Sequence, residues 1–170
     1  MAEQAPEPSI TVFVKELMIS PVLTIRIDAT VAEAAKQMLL NRVGSVVVVD
    51  ENGHYAGLIT ERMMLPEESL IPFMRGKAFR VLGREIGNFE MIEETMAELS
   101  SYAVGEVMST DHPVVPPETH MGKAVELMVS KNVHHICVVE NRLPVGIVSK
   151  HDLLKLFFIP TDGPSARALL

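Results

Sequence analysis

Apolar residues follow two different spacings along the first third of the chain. Residues 45–49 form a nearly continuous apolar run, which is typical of a strand buried on both faces. A β-branched segment at 22–27 and a run ending at 57–59 predict two further strands. Between the first two strands, apolar residues recur at helical spacing. They are Val31, Ala34, Ala35, Met38 and Leu39. A last helix is predicted from Thr60, a residue type that caps helix N-termini.

The same order of elements returns about ninety residues later, which indicates an internal repeat. Met18 aligns with Met108 at a shift of 90, and the shift becomes 89 after the turn between the last two strands. Further aligned pairs are Ala34 with Ala124, Met38 with Met128, and Gly57 with Gly146. In the second copy we predict strands at 113–115, 136–139 and up to 148, a helix from Met121, and a last helix from Ser149. Each copy is therefore predicted to be a β-α-β-β-α unit.

These patterns predict an α/β (α+β) fold with five segments. They are a disordered N-terminus at 1–10, a first repeat at 11–63, a helical insert at 64–103, a second repeat at 104–159 and a C-terminal tail at 160–170. Units of this size bury too little surface to be stable alone. We therefore expect the two pseudo-symmetric repeats to pack sheet to sheet and share a core.

The insert carries cations whose role the sequence leaves open. Arg80 and Arg84 share one face of a possible helix, with Lys77 nearby. A solvated helical face is the favoured interpretation. Contact with a ligand phosphate or with an acidic partner surface is the alternative. A second amphipathic helix is predicted at 89–99.

Composition and charge restrict the classes of function. The chain is 48% hydrophobic and carries a formal net charge of −7. An acidic chain has no electrostatic footprint for nucleic acid or for an anionic membrane, and its apolar runs are too short to span a bilayer. Cys137 is the single cysteine, so an intrachain disulfide is impossible. The first nine residues lack the features of a signal peptide. We therefore predict a cytoplasmic protein that binds neither nucleic acid nor membrane.

Four segments of the repeat resemble the CBS-domain family, whose tandem pair is called a Bateman module. They are 12–20, 104–110, 132–139 and 146–154. The last matches the family pattern most specifically: Gly, two apolar residues, Ser or Thr, two variable residues and Asp. The first copy departs from this pattern because Met63 stands where the acid is expected.

The resemblance implies a non-catalytic regulatory module of the stand-alone type. Such a module binds an adenosine-containing ligand of the AMP, ADP, ATP or S-adenosylmethionine class and relays its occupancy to a partner protein. It also implies a homodimer. No cofactor is required for this role, and the regulated protein cannot be named from the sequence.

The resemblance places the ligand in the cleft of the second repeat. Asp152 is expected to accept the two ribose hydroxyls. The Ser149 hydroxyl and the amides of Lys150 and His151 suit a phosphate or a sulfonium-bearing tail at a helix N-terminus. An apolar slot and a backbone edge for adenine are predicted at Ile136, Cys137 and Val138, with His135 beside them. Ser149 and Asp152 also fit a capping box, which is the structural alternative.

The competing functions are catalysis and a purely structural role. An enzyme is disfavoured, because the sequence has no nucleophile–base constellation, no Walker loop and no dinucleotide fingerprint. No metal site is predicted, since the histidines lack zinc-ligand spacing. The alternative to a ligand sensor is a structural dimerisation module with no ligand.

Overall fold

A computed structural model describes residues 12–64, 79–81, 84–86 and 96–158. The predicted disordered N-terminus and C-terminal tail lie outside these residues. In chain order the elements are α1 (Val14–Leu17), β1 (Thr24–Arg26), α2 (Val31–Asn41), β2 (Ser45–Val49), β3 (Tyr55–Thr60), α3 (Glu61–Met64), β4 (Phe79–Val81), β5 (Arg84–Ile86), α4 (96–100), α5 (Val104–Val107), β6 (Val114–Val115), α6 (Met121–Ser130), β7 (His135–Glu140), β8 (Leu143–Ser149) and a 3₁₀ helix (His151–Phe158). Both copies follow the predicted β-α-β-β-α order.

The described residues form two compact units that do not follow the order of the repeats along the chain. One unit contains 22–112 and 142–144, within the described ranges, and the other contains 12–21, 113–141 and 145–158. The opening segment of each copy therefore belongs to the unit of the other copy. We name residues 12–21 the first opening segment.

The unit of the first repeat is built on a three-stranded sheet in the order β1-β2-β3. β1 pairs parallel to β2, and β2 pairs antiparallel to β3. All five residues of β2 are buried, which confirms the prediction from its unbroken apolar run. The α2 helix covers the sheet, because its apolar stripe packs with the strand residues in one cluster. The cluster contains Ile25, Val31, Ala34, Met38, Val46, Val48, Ile59, Met64 and Val104.

The unit of the second repeat repeats this plan with the order β6-β7-β8. Its core joins the sheet, α6 and the α1 helix of the first opening segment. The cluster contains Val14, Leu17, Val115, Met121, Ala124, Met128, Ile136, Val138 and Val148. Helix α2 is followed directly by Arg42, and α6 is followed by Lys131 and then Asn132; Arg42 and Asn132 both have positive φ angles.

Each opening segment lies against the glycine of the family motif in the other copy. In one unit Leu58 pairs with Ser109 in an isolated bridge, and in the other Ile147 pairs with Ile19. A Cβ on Gly57 would lie 2.6 Å from the Ser109 carbonyl oxygen, and a Cβ on Gly146 would lie 2.5 Å from the Met18 sulfur. Glycine therefore stands at both positions because the opening segments approach too closely for a side chain.

The insert differs from the helical segment predicted for it. β4 and β5 pair antiparallel, with Arg80 opposite Glu85 and Val81 opposite Arg84. Arg80 and Arg84 therefore do not share a helical face, and that prediction was wrong. Two strands separated by only two residues, one of them a glycine, have the spacing of a β-hairpin, and this signal outweighs the four-residue spacing of the arginines. Of the helix predicted at 89–99, residues 96–99 lie in α4, and 89–95 lie outside the described residues.

No helix in the described part of the chain is long and apolar enough to cross a membrane.

Candidate functional site

Four of the predicted site residues lie where β8 gives way to the 3₁₀ helix. β8 ends at Ser149, Lys150 follows, and the helix begins at His151. Asp152 is the second residue of this helix. The last helix predicted from Ser149 is therefore present. The role of these side chains in ligand binding stays a prediction.

The Asp152 carboxylate is almost completely enclosed, with 4% of the residue exposed. Its Oδ2 accepts hydrogen bonds from the Ser149 amide at 2.8 Å and from the Ser149 hydroxyl at 2.6 Å. The Asp152 amide donates back to the Ser149 hydroxyl at 3.4 Å. These reciprocal bonds are the capping box that the sequence allowed as the structural alternative. Through these bonds the carboxylate stabilises the start of the helix.

The second carboxylate oxygen of Asp152 is engaged by Lys155. The Lys155 ammonium lies 3.0 Å from Oδ1 and also donates to the Leu17 carbonyl at 2.9 Å. Burial opposes the charged form of Asp152, but the hydrogen bonds from the Ser149 hydroxyl, Lys155 and the Ser149 amide outweigh it. Together they hold the pKa of Asp152 below its ordinary value. The carboxyl is therefore a stable anion, bound on both oxygens.

Lys150 and His151 present exposed side chains beside this carboxylate. The Lys150 amide donates to the His134 carbonyl at 2.9 Å. It is therefore not available to a phosphate, which corrects that part of the prediction. No hydrogen bond from the His151 amide is found within the described residues. The donors that remain for a ligand are this amide and the exposed Lys150 and His151 side chains.

The predicted adenine slot is not open in this structure. Ile136, Cys137 and Val138 are all completely buried. They lie on β7, the central strand of its sheet, whose backbone groups pair with β6 and β8. The prediction of an apolar slot with a free backbone edge at these residues was therefore wrong. Continuous apolar runs mark the centre of a sheet, and for the same reason they are closed to a ligand. His135 is half-buried at the start of β7.

The corresponding connection of the first copy has the same backbone contact but lacks the acid. The Glu61 amide donates to the Gly44 carbonyl at 2.9 Å, as the Lys150 amide does to His134. Met63 stands at the position of Asp152. Without a carboxylate there, Thr60 has no partner for a capping box of the kind seen in the second copy.

Two contacts of the site were missed by the sequence reasoning. Lys155 stands three residues after Asp152, a spacing at which opposite charges meet on a helix, so this contact could have been found. The bond from Lys155 to the Leu17 carbonyl joins residues 138 positions apart, and no local pattern indicates it.

A separate groove of about 590 Å³ lies on the unit of the first repeat. It is lined by Ala35, Met38, Leu39, Arg42, Val43, Gly44, Glu61, Met64 and Met96. Leu39 and the neighbouring Leu40 are 79% and 73% exposed. Within the described ranges neither Arg42 nor Glu61 has an ion-pair partner. The groove thus combines an exposed apolar surface with two charges of opposite sign that have no ion-pair partner among the described residues.

Among the described residues, no group of three His, Cys, Asp or Glu side chains could hold a metal ion.

Comparison with known proteins gives one consistent result. The model of the CBS domain matches residues 14–67 and again 104–158. The CBS domain-containing protein CBSX3, mitochondrial, of Arabidopsis thaliana is 30% identical over 132 residues. That match covers 75% of this chain and 52% of the relative, so the chain spans about half the length of that protein.

Two solved structures show the same fold. The CBS domain of a CBS domain-containing membrane protein from Sphaerobacter thermophilus is 34% identical, with a TM-score of 0.61 and coverage of 86% of this chain and 88% of that one. The CBS domain pair of protein MJ0100 was solved in complex with 5′-methylthioadenosine and S-adenosyl-L-methionine. It is 21% identical, with a TM-score of 0.63 and coverage of 86% and 96%.

Proposed function

Because this chain belongs to the CBS domain family, we propose that it is a non-catalytic regulatory module that binds an adenosine-containing ligand at the start of the 3₁₀ helix. The proposal rests on one observation. The Asp152 carboxylate, whose two oxygens are hydrogen-bonded, lies at the N-terminus of this helix beside the exposed side chains of Lys150 and His151. The adenosine ligands of the MJ0100 domain pair support the ligand class.

Ribose recognition at Asp152 requires an exchange of hydrogen bonds, because both carboxylate oxygens already have partners. Two vicinal hydroxyls are donors that can replace the Ser149 hydroxyl on Oδ2 or Lys155 on Oδ1. Each bond to the charged carboxylate contributes about 1.5–3 kcal/mol. Because one such bond is lost for each one formed, the exchange itself changes the free energy little. The remaining binding energy then comes from the base and the tail of the ligand.

The charges around the site suit a ligand with an anionic tail. Lys150 carries an exposed ammonium group. The His151 amide lies at the start of a helix and has no hydrogen-bond acceptor in the described part of the chain. Helix N-termini and cations both stabilise phosphate oxygens. We therefore place AMP, ADP and ATP first in the proposed ligand class. S-adenosylmethionine is the other member.

Isothermal titration calorimetry with AMP, ATP and S-adenosylmethionine tests the proposal on the wild-type chain. We expect Asp152→Asn to weaken binding by about tenfold to a hundredfold, because one or two bonds to a carboxylate lose their charge. Asp28→Asn is the matched control, since Asp28 is exposed and pairs only with Arg26 in the described part of the chain. Circular dichroism verifies that both variants are folded. Equal affinity of Asp152→Asn and wild type would contradict the proposed site.

We also propose that two copies associate through the groove on the first-repeat unit. A two-fold contact brings the same surface of both copies together, so Arg42 of one copy can face Glu61 of the other. Leu39 and Leu40, which are exposed in the single chain, would be buried in this contact, and the burial of their apolar area would stabilise the dimer. We propose that the dimer binds a regulated partner protein and that ligand binding to the dimer changes the activity of that partner.

Native mass spectrometry is expected to give twice the 18.7 kDa mass of the chain. Leu39→Glu should shift the population to single chains, because it places a carboxylate in the apolar contact. Leu143→Glu, at another exposed leucine, is the control and should remain dimeric. A dimer that survives Leu39→Glu would place the contact elsewhere.

A structural dimerisation module without a ligand is the second candidate. It is favoured by the Ser149–Asp152 capping box and by Met63 in the first copy, since both motif positions then have a purely structural explanation. No heat and no shift in melting temperature with any of the three ligands would support it. A cytoplasmic location stays a prediction, and the Arabidopsis relative is named as mitochondrial.

A further inference from the structure

A chain of polar contacts leads from the candidate ligand site to the first opening segment. Ser149 binds Oδ2 of Asp152, Oδ1 binds Lys155, and Lys155 binds the Leu17 carbonyl. Leu17 is the last residue of α1, and the chain passes from one compact unit to the other between Pro21 and Val22, four residues later. The contacts therefore connect the site to the segment that precedes this crossing.

We infer that Lys155 couples occupancy of the site to the first opening segment, an inference that rests on the proposed function. The Asp152 carboxylate is enclosed, so a ribose hydroxyl that binds Oδ1 takes the place of Lys155 there. The ammonium group is then no longer held between two oxygens. Its bond to the Leu17 carbonyl loses its fixed geometry, and the end of α1 is released from the 3₁₀ helix.

The remaining contacts of the first opening segment explain why the release stays local. Val14 and Leu17 are buried in the core of their unit, and the Val14 amide donates to the Thr119 carbonyl at 2.8 Å. Ile19 and Ile147 exchange two backbone bonds of 2.8 and 3.1 Å. The segment therefore stays attached when Lys155 leaves, and the change concerns the amides that follow Leu17. Small releases of this kind are open states of low free energy within a folded protein.

Hydrogen–deuterium exchange of the full chain, measured with and without AMP and with and without S-adenosylmethionine, tests this coupling. In the wild type, ligand binding should speed amide exchange of residues 17–20 by about threefold to tenfold. This is the change expected when the net free energy of one hydrogen bond is lost. Lys155→Met should show this faster exchange without ligand and no further change on binding. Lys123→Met is the matched control, because Lys123 contacts only Glu126 in the described part of the chain.

The outcomes separate this inference from the proposed function. Measured binding with unchanged or slower exchange in 17–20 of the wild type would overturn the coupling and leave the proposed function intact. This comparison needs no variant, so it holds even if Lys155→Met does not fold. A Lys155→Met protein that responds to ligand like the wild type would also overturn the coupling. No binding of AMP or S-adenosylmethionine here, together with no heat from ATP in calorimetry, would overturn the proposed function, and the coupling with it.

Discussion

Replacing Gly57 with alanine is expected to lower the free energy of unfolding by about 2–3 kcal/mol, the upper part of the range for overpacking. The new Cβ would lie 2.6 Å from the Ser109 carbonyl oxygen and 2.9 Å from the Met108 sulfur. The methionine can rotate away, but the carbonyl cannot, because Leu58 and Ser109 exchange backbone bonds of 3.0 and 2.9 Å. The segment around Ser109 must therefore move off β3, and both bonds are weakened.

Urea denaturation of the wild type and of two alanine variants measures this effect. Gly122→Ala is the control, because a Cβ at Gly122 would meet nothing within 4 Å. Gly122 lies in α6, where alanine is favoured over glycine by about 0.5–1 kcal/mol, so this variant should gain stability. If Gly57→Ala were as stable as the wild type, the close approach of Ser109 to β3 would be refuted.

The glycine motif shows how far the sequence alone could predict the fold. Its repetition at Gly57 and Gly146 was visible as a pattern and correctly marked the end of a strand in each copy. The physical reason for glycine was not visible. It depends on which opening segment lies beside which strand, and this exchange between the copies joins residues about 50 or 130 positions apart. Local periodicity carries no information on such pairings.

The strands and main helices were predictable because the apolar residues of each element follow one clear pattern, continuous in the buried strands and of helical spacing in the helices. β2 occupies the predicted residues 45–49, and α2 and α6 begin at the predicted Val31 and Met121. The insert was not predictable in this way. Its arginines have the spacing of a helix, while the short distance between two β-forming segments specifies a hairpin. The arginine spacing favours a helix and the short connection favours a hairpin, and the structure has the hairpin.

The helix start that carries the candidate site was predictable from the sequence, but its contacts were not. A Ser and an Asp three residues apart identify a helix start, so the start of the 3₁₀ helix near Ser149 was predicted correctly. A role of Ser149 and Asp152 in ligand binding stays a prediction. Whether the carboxylate faces a cleft or its own helix depends on tertiary packing, which the motif does not encode. The same applies to Ile136, where one apolar pattern is compatible with a ligand slot and with the centre of a sheet.

Asp152→Asn is expected to destabilise the fold by about 2–3 kcal/mol at pH 7, because a buried carboxylate loses its charge-assisted bonds. The asparagine oxygen can still accept from Ser149. Its amide group must then face the Lys155 ammonium, since Lys155 lies on the other carboxylate oxygen. Two donors would then oppose each other where an ion pair stood. Thermal unfolding with the Asp28→Asn control measures the loss. The control should change little, because exposed ion pairs contribute little.

The acid dependence of this loss identifies the charge of Asp152 as its cause. The pKa of Asp152 is lower in the folded chain than its ordinary value of 3.8, which applies to the unfolded chain. The ionised carboxyl therefore stabilises the fold fully above pH 3.8, and this contribution disappears as the pH falls through the lower, folded-state pKa. The difference in free energy of unfolding between wild type and Asp152→Asn should thus be constant from pH 7 to about pH 5 and shrink below about pH 4. A difference that stayed constant down to pH 3 would assign the loss to packing of the amide. Below pH 3.8 the unfolded wild-type chain takes up a proton that the folded carboxylate does not, so a contribution from the charge must shrink there.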